Sequence, residues 1–229
     1  KVRYIKRTKL IQLVRLVNAL KECLRYKPDI IIASGMFSLW QARLLKRFYP
    51  KAIYLAVIHG SETDRKIKWQ RILTEKAYHV FDHLVAVSNY TASFIKSSAQ
   101  LPPVHIIPNA VDTGFLKTFK EDSFIKLPGN PAVLTVGNVT PRKGQHNMIK
   151  ALPHLKERFP GIHYHCIGLK SFAGSNENLA NSLGVRELVT FHGKLPLKSL
   201  MSAYRGCDVF AMTSEHLEDG DFEGFGIAI

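Results

Sequence analysis

A glycine-rich turn with two cations stands between a predicted strand and a predicted helix in the second half of the chain. The turn reads Val136-Gly137-Asn138-Val139-Thr140-Pro141-Arg142-Lys143-Gly144. Gly137 allows a tight turn and Gly144 lets backbone approach a ligand closely, while the free N–H groups that begin the next helix favour an anion. Together with Arg142 and Lys143, these features fit a diphosphate. The alternative interpretation is an ordinary strand–helix loop with solvated cations.

Two further stretches carry polar side chains where predicted strands end. In Asp221-Phe222-Glu223-Gly224-Phe225-Gly226, a carboxylate beside glycines could accept hydrogen bonds from the hydroxyls of a sugar or ribose. In Val57-Ile58-His59-Gly60, an imidazole is placed at the rim of a crevice. Acidic, glycine-containing loops are common, and a lone histidine at a strand end is more often structural, so neither stretch decides a function alone.

Short apolar runs alternate with helical patterns along the chain, and this alternation must position the polar stretches. Strands are predicted at 30–33, 52–58, 84–87, 104–107, 133–136, 162–167, 189–191 and 209–212, with helices between them. Such alternation indicates an α/β fold of parallel sheets covered by helices, which bind ligands at the carboxyl ends of their strands. Residues 109–131 lack periodicity, so we predict two doubly wound, Rossmann-like domains, 1–112 and 132–229, joined by a linker at 113–131.

Positive charge is concentrated in the first part of the chain. Residues 1–51 hold 13 Lys and Arg against two acidic residues, out of a net charge of +14 for all 229 residues. Nucleic acid and an anionic membrane surface are candidate partners for such a segment, and a solvated helix face is the alternative. No apolar run reaches the roughly 20 residues that cross a bilayer.

The chain has three cysteines and ten histidines that could act as reactive or metal-binding groups. Cys23, Cys166 and Cys207 are predicted to be buried, reduced thiols, as in a cytoplasmic protein. The pair His163 and His165 has the spacing of metal ligands, but no third ligand is evident in the sequence, so we predict no metal site.

The polar stretches belong to an ordered set of motifs that covers most of the chain. The set comprises His59-Gly60, Val85-Ala86-Val87-Ser88, Ile107-Pro108-Asn109-Ala110-Val111-Asp112, Val136-Gly137-Asn138, Arg142-Lys143-Gly144, Phe191-His192-Gly193, Cys207-Asp208-Val209-Phe210 and Glu223-Gly224-Phe225-Gly226. Each motif is weak alone, but the ordered set resembles the family 4 retaining glycosyltransferases. The resemblance implies the GT-B architecture, in which two Rossmann-like domains serve the acceptor (here 1–112) and the nucleotide sugar (here 132–229).

For the turn at Lys143, the resemblance implies binding of the donor's diphosphate. The donor would be a GDP- or UDP-hexose, with Arg142, Gly137 and Asn138 beside the lysine. The family usually has Arg where Asn138 stands, so we expect Arg142 to supply the missing charge. The basic turn would replace Mg²⁺, so we expect a metal-independent reaction without a cofactor.

For the other two stretches, the resemblance implies contact with the transferred sugar. His59 and Glu223 would be the catalytic residues, and Gly224, Phe225 and Gly226 would lie beside the sugar and nucleotide. Transfer would retain the anomeric configuration without a protein nucleophile. The acceptor would be a saccharide or a lipid-linked molecule, which fits a cytoplasmic protein peripheral to the inner face of a membrane, and we expect no nucleic acid.

Other expectations remain open beside this one. A nucleotide-sugar 2-epimerase shares the architecture, and a basic, non-enzymatic fragment that binds nucleic acid or membrane would also explain the charged first segment. The family's first strand with its Gly-rich loop and its C-terminal helices are not recognised, and its second glutamate would fall beyond Ile229. We therefore expect a fragment, incomplete at both ends, with weak donor binding and little transfer.

Overall fold

The computed structural model describes residues 11–60, 62, 67–95, 100–114, 126–218, 220–226 and 228. The chain divides into two compact units: Lys1–Asn109 with Glu218–Phe225 form the first, and Ala110–Leu217 with Gly226–Ile229 form the second. The basic residues of 1–10 and most of the predicted linker lie outside the described residues. The sequence assigned 218–225 to the second domain, whereas the structure packs Phe222 from this segment against Phe94 of the first unit.

The first unit alternates helices and strands, as the sequence predicted. Its elements are α1 (Ile11–Tyr26), β1 (Ile30–Ser34), α2 (Met36–Phe48), β2 (Ile53–Ile58), α3 (Lys68–Tyr78), β3 (His83–Ala86), α4 (Asn89–Ser93) and β4 (Val104–Ile106). The strands form one parallel sheet in the order β1-β2-β3-β4. Parallel strands end at the same edge, so Ser34, His59 and Ser88 are brought to one edge of this sheet.

The core of the first unit lies on one face of its sheet. Tyr54 and Ile58 are fully buried there in a single cluster with Leu39 of α2, and α1 and α3 contribute to the same cluster. On the other face, Ile30 and Ile32 are 53% and 65% exposed. The sequence predicted a sheet covered by helices on both faces. In the part of the chain described, the helices α1, α2 and α3 all join the cluster that contains Tyr54, so only that face is covered.

The second unit repeats the alternation. Its elements are β5 (Ala132–Val136), α5 (Gln145–Arg158), β6 (His163–Ile167), α6 (Ala173–Ser182), β7 (Val189–Gly193), α7 (Leu197–Gly206) and β8 (Val209–Phe210), with one-turn 3-10 helices at Pro141–Lys143 and Arg186–Leu188. All four strands are parallel, in the order β7-β6-β5-β8.

Helices cover both faces of the second sheet. Successive residues of β5 enter different clusters: Val133 packs with Ile149 of α5, and Leu134 packs with Ala203 of α7. This is the doubly wound arrangement that the sequence predicted. It follows from the period of two in a strand, which points successive side chains to opposite faces.

The three cysteines are free thiols. Cys23 and Cys166 are buried, as predicted, but Cys207 is only partly buried. Burial raises the pKa of the Cys166 thiol to about 12, which disfavours the thiolate. Among the described residues, no helix has both the length and the apolar character that crossing a membrane demands.

Candidate functional site

Lys143 ends the 3-10 turn that joins β5 to α5. Its backbone nitrogen donates to the carbonyl oxygen of Thr140 at 3.1 Å. Its side-chain stem lies over Gly137, since a Cβ built on Gly137 would stand 3.3 Å from Lys143 Cε and 3.5 Å from Cδ. Gly137 has a φ of 153°, which favours glycine. The glycine therefore both turns the chain after β5 and leaves room for the lysine to fold back over the strand end.

Gly144 separates this turn from α5, and its position requires glycine. Its φ is 65°, in the left-handed region, and an added Cβ would stand 1.8 Å from the carbonyl oxygen of Thr213. The Thr213 hydroxyl donates to the Gly144 carbonyl oxygen at 2.6 Å. The sequence predicted that Gly144 admits a ligand. In the structure, its close neighbour is the protein's own backbone after β8.

Glu215 fixes the same turn from the loop after β8. Its backbone nitrogen donates to the carbonyl oxygen of Arg142 at 2.8 Å. Its carboxylate accepts a hydrogen bond from the side-chain amide of Asn147 and lies 3.5 Å from Nε2 of His146. The sequence does not indicate this role, because a glutamate in a polar loop carries no signal of the helix start that it will contact.

Asn138 is exposed at the end of β5, but its side-chain oxygen already has a partner. The backbone nitrogen of Leu169 donates to Asn138 Oδ1 at 3.2 Å. Fully buried Gln145 donates from Nε2 to the Asn138 carbonyl oxygen at 3.2 Å. Asn138 thus holds the turn itself, and its side-chain NH₂ is the group that could donate to a phosphate.

His59 follows β2 and is held by its backbone and by its ring. Its Nε2 lies 3.0 Å from the Ser34 hydroxyl at the end of β1, and its backbone nitrogen donates to Glu62 Oε1 at 2.8 Å. Glu62 is only 4% exposed. These two contacts, one at the ring and one at the backbone, fix the direction of the exposed His59 imidazole.

Phe222 and Gly224 pack at the strand ends of the first unit. Phe222 is 3% exposed, and its ring lies 5.2 Å from Tyr90 and 4.6 Å from Phe94, centroid to centroid. A Cβ on Gly60 would stand 2.7 Å from the Phe222 ring. Gly60 must therefore be glycine for this ring to seat.

Gly224 touches the backbone of His59 directly. A Cβ on Gly224 would stand 1.8 Å from the His59 carbonyl oxygen. The Gly224 carbonyl oxygen accepts hydrogen bonds from the hydroxyls of Ser88 at 2.6 Å and Thr91 at 3.2 Å. Ser88 also caps α4, since its hydroxyl accepts from the Thr91 nitrogen at 3.0 Å. Serine is a common residue at the start of a helix, but no local pattern indicates its bond to Gly224.

The structure thus sorts the predicted residues into two groups. One group, at the end of β5 in the second unit, comprises Gly137, Asn138, Arg142 and Lys143. The other, in the first unit, comprises His59, Glu223, Gly224 and Phe225, and the neighbouring Gly226 is counted with the second unit. Glu223 is partly buried and Phe225 is 38% exposed. The first group lies within one turn of the chain, whereas the second joins His59 to residues far later in the sequence.

Two models of known protein families match the chain. The model of Glycosyltransferase Family 4 matches residues 1–115, and the model of Glycosyl transferases group 1 matches residues 117–229. The chain belongs to glycosyltransferase family 4. This family assignment confirms the resemblance seen in the motifs, and the two parallel-sheet units are those of the GT-B fold that the resemblance implied.

Similar proteins include both curated relatives and solved structures. The GDP-mannose-dependent alpha-(1-6)-phosphatidylinositol monomannoside mannosyltransferase of Mycolicibacterium smegmatis is 31% identical over 64% of this family 4 chain and 40% of its own length. Sucrose-phosphate synthase from Thermosynechococcus elongatus superposes with a TM-score of 0.75 at 20% identity, covering 98% of this chain and 59% of its own. Anabaena Alr3699/HepE, solved with UDP-glucose, gives a TM-score of 0.72 at 18% identity over 93% and 60%. The chain therefore spans less than two thirds of each.

Proposed function

We propose that this family 4 protein transfers a hexose from a nucleotide-diphosphate sugar to a lipid-linked or saccharide acceptor. The observation that carries the proposal is the turn at the end of β5, where Lys143 folds over Gly137 beside Arg142. GDP-mannose is the first donor to test, because the 31% identical relative is named as GDP-mannose-dependent. UDP-glucose is the second, because it is bound in the similarly folded HepE structure.

In the proposed reaction, the cations of the turn stabilise the leaving group. The bond from the anomeric carbon to the diphosphate oxygen breaks, and negative charge grows on the diphosphate. The acceptor oxygen bonds to the same face of the anomeric carbon, and its proton passes to the departing diphosphate, so the configuration is retained. Loss of one such stabilising group typically costs about 2.7–4 kcal/mol of barrier. Lys143 and Arg142 are the groups proposed to supply it.

The same cations support the proposal that transfer needs no metal. Mg²⁺ neutralises a diphosphate in other enzymes by placing positive charge beside it. Here two side chains carry that charge at the carboxyl end of β5. Activity that survives a chelator would agree with this proposal, and activity restored only by added divalent ions would contradict it.

His59 and Glu223 are proposed to bind hydroxyls of the transferred sugar as the catalytic residues. The support is that His59 is held at its ring by Ser34 and at its backbone by Glu62, and that Gly224, next to Glu223, packs on the His59 carbonyl. Phe225 and Gly226 follow at once in the chain and are proposed to line the sugar and nucleotide. Such fixed positions reduce the reorganisation that ligand binding would require.

The proposed acceptor is a lipid carrying a sugar, and the proposed location is the cytoplasmic face of a membrane. The relative's name specifies a phosphatidylinositol monomannoside acceptor, and residues 1–51 carry 13 Lys and Arg. Neutralising Lys6, Arg7 and Lys9 should weaken binding to anionic vesicles. Unchanged binding would remove this basic segment from the proposal.

The alternatives predict different products or ligands. A 2-epimerase would release a free epimerised sugar nucleotide, whereas a transferase yields a glycosylated acceptor. A basic fragment without enzyme activity would bind nucleic acid in a strongly salt-dependent manner and would ignore nucleotide sugars. The family assignment does not favour either alternative.

Calorimetric titration with GDP, UDP and their sugars tests the proposal most directly. We expect micromolar to millimolar binding of one nucleotide, weakened at least about 10-fold in Lys143→Ala, because a hydrogen bond to a charged group contributes about 1.5–3 kcal/mol. Lys150→Ala is the matched control, because Lys150 is an exposed lysine of α5. Equal weakening in both variants, or binding that survives Lys143→Ala, would contradict the proposed diphosphate site.

A further inference from the structure

The carbonyl oxygen of Gly224 accepts two hydrogen bonds from the start of α4. The Ser88 hydroxyl donates to it at 2.6 Å and the Thr91 hydroxyl at 3.2 Å. Gly224 is buried, and Thr91 is fully buried. Neither hydroxyl belongs to the proposed site, yet both bind the residue that follows Glu223. The two hydroxyls therefore contact the proposed site through its backbone.

The carbonyl oxygen of His59 confines Gly224 from another side. A Cβ added to Gly224 would stand 1.8 Å from that oxygen and 3.0 Å from the Thr91 hydroxyl oxygen. Two residues earlier in the chain, the Phe222 ring is 3% exposed and lies 4.6 Å from Phe94, centroid to centroid. The backbone of Gly224 is thus held by two hydroxyls and one carbonyl, which leave its peptide plane little freedom to turn.

The fixed carbonyl sets the direction of the next amide. The cis peptide bond found among the described residues precedes Pro131, so the bond from Gly224 to Phe225 is trans, and its C=O and N–H point in opposite directions. The Phe225 N–H consequently points away from the two hydroxyls of α4. None of the described residues accepts a hydrogen bond from it. Donors on the carbonyl also polarise the peptide, which makes its N–H a stronger donor.

We propose that Ser88 and Thr91 are positioning residues for the donor sugar. They hold the peptide after Gly224 so that the Phe225 N–H donates to a hydroxyl of the transferred hexose. This role rests on the proposed function. The hexose is the ligand, rather than the diphosphate, because Gly224 packs on His59, which is proposed to bind hydroxyls of the same sugar, whereas the proposed diphosphate site lies in the second unit.

A purely structural role is the alternative, because the two residues also hold α4. Ser88 Oγ accepts a hydrogen bond from the Thr91 nitrogen at 3.0 Å. The two roles differ in what the loss of a hydroxyl changes. A structural loss lowers stability and weakens every ligand alike. A misplaced Phe225 N–H weakens binding of the nucleotide sugar and leaves binding of the free nucleotide unaffected, because only the former carries the hexose.

Thr91→Val removes one hydroxyl at nearly constant shape. Calorimetry with GDP-mannose and GDP, and with UDP-glucose and UDP, measures the result. We expect affinity for the nucleotide sugar that binds to fall about fivefold, the contribution of one hydrogen bond, while affinity for its free nucleotide changes by less than about twofold. Thr91→Ser keeps the hydroxyl and should bind both ligands as the wild type does.

Thr74→Val is the matched control. Thr74 is also buried in the first unit, and its hydroxyl donates to the Gln70 carbonyl oxygen at 2.9 Å. This variant should lower thermal stability, as Thr91→Val does, without changing the ratio of the two affinities. If Thr91→Val weakens nucleotide and nucleotide sugar equally, the positioning role is overturned. A wild-type protein that binds no nucleotide would instead contradict the proposed function, and this role with it.

Ser88→Asp separates the bond to Gly224 from the cap of α4. A carboxylate can still accept from the Thr91 nitrogen, but it has no proton to donate to the Gly224 carbonyl oxygen. We expect Ser88→Asp to lower affinity for the nucleotide sugar at least as much as Thr91→Val does, with the free nucleotide bound as before. An unchanged ratio of the two affinities in Ser88→Asp would count against the role of this serine.

The Phe225 amide reports on the contact directly. In protein that carries isotopically labelled phenylalanine, its nuclear magnetic resonance signal is identified by its absence from Phe225→Leu. Saturating GDP-mannose or UDP-glucose should shift this signal and slow exchange of the amide proton with solvent, GDP or UDP should do neither, and Thr91→Val should reduce the protection. An amide that exchanges equally fast with and without the sugar would overturn the inference, because its N–H would then have no hexose partner.

Discussion

Gly144 and Thr213 interlock at the start of α5: the Thr213 hydroxyl donates to the Gly144 carbonyl oxygen at 2.6 Å, and the Thr213 carbonyl oxygen stands where a Gly144 side chain would begin. The left-handed backbone of Gly144 adds a cost of roughly 1–2 kcal/mol for any other residue. We expect Gly144→Ala to lower the free energy of unfolding by at least about 2 kcal/mol, measured by urea denaturation.

Gly174 supplies a control of the opposite sign. It lies in α6, where an added Cβ meets nothing within 4 Å. Gly174→Ala should leave stability unchanged or raise it by up to about 1 kcal/mol. If both variants behaved alike, the close packing of Gly144 on Thr213 would not be what requires glycine there.

Asn138→Asp tests whether the end of β5 meets a diphosphate. The aspartate keeps an oxygen that can accept from the Leu169 nitrogen, as Asn138 Oδ1 does at 3.2 Å, but it places negative charge beside the proposed ligand. We expect nucleotide affinity to fall at least about 10-fold, because like charges repel, with little change in thermal stability. Asn138→Ala should do the reverse. It should cost about 1 kcal/mol of stability because the bond to Leu169 is lost, and it should lower nucleotide affinity less than Asn138→Asp does. Calorimetry and thermal melts separate these outcomes.

Phe222 should be the residue that holds the segment Glu218–Phe225 on the first unit. It is 3% exposed and packs against Phe94 at 4.6 Å between ring centroids. Removing a buried phenylalanine ring typically costs about 3–5 kcal/mol, so Phe222→Ala should destabilise the protein by about that amount and speed hydrogen exchange in the segment. Phe225→Ala is the matched control, because Phe225 is 38% exposed. Equal costs for the two substitutions would refute this assignment.

The sequence predicted the strands and helices well, because their apolar periods are local. The strand Ala132–Val136 and the helix that follows Ser88 both lie close to their predicted positions. The contacts that position the site could not be predicted from the sequence. The bonds from Ser34 to His59 and from Glu215 to Arg142 join residues separated by many positions, and neither serine nor glutamate in a loop reveals its eventual partner.

The same reason explains the assignment of residues 218–225. By sequence they follow β8, so they were assigned to the second domain. The structure counts them with the first unit, because a single aromatic side chain, Phe222, finds Tyr90 and Phe94 there. Burial of the Phe222 ring, rather than the position of the segment in the chain, decides which unit the segment joins. No local sequence pattern indicates such a tertiary contact.

A stack of three histidines in the second unit also depends on tertiary contacts. The sequence identified His163 and His165 as a pair on β6, and the structure adds His192 of β7. The His165 ring lies 4.7 Å from that of His163 and 5.3 Å from that of His192, centroid to centroid. His165 Nε2 lies 2.8 Å from the Pro128 carbonyl oxygen, which only accepts, so this nitrogen donates. His165 Nδ1, 3.0 Å from His192 Nε2, then accepts in the neutral ring.

This stack should make stability fall in mild acid. Burial, and then the neighbouring histidines, lower the pKa of His163, and burial, then His165 and Lys170, lower the pKa of His192. In the unfolded chain, histidine pKa values are about 6.5. Just below that pH, the unfolded chain therefore binds more protons than the folded protein does. The stabilisation is complete above about pH 6.5 and is lost as the pH falls toward the lower folded pKa values.

Urea denaturation at a series of pH values between neutral and mildly acidic measures this loss. We expect the free energy of unfolding to decrease as pH falls below about 6.5, and His192→Gln to flatten the decrease, because it removes one of the groups whose protonation the fold opposes. His154→Gln is the control, since His154 is exposed on α5 and should leave the profile unchanged. A profile that His192→Gln leaves as steep as before would mean that acid acts through other groups, and that the histidine stack serves packing alone.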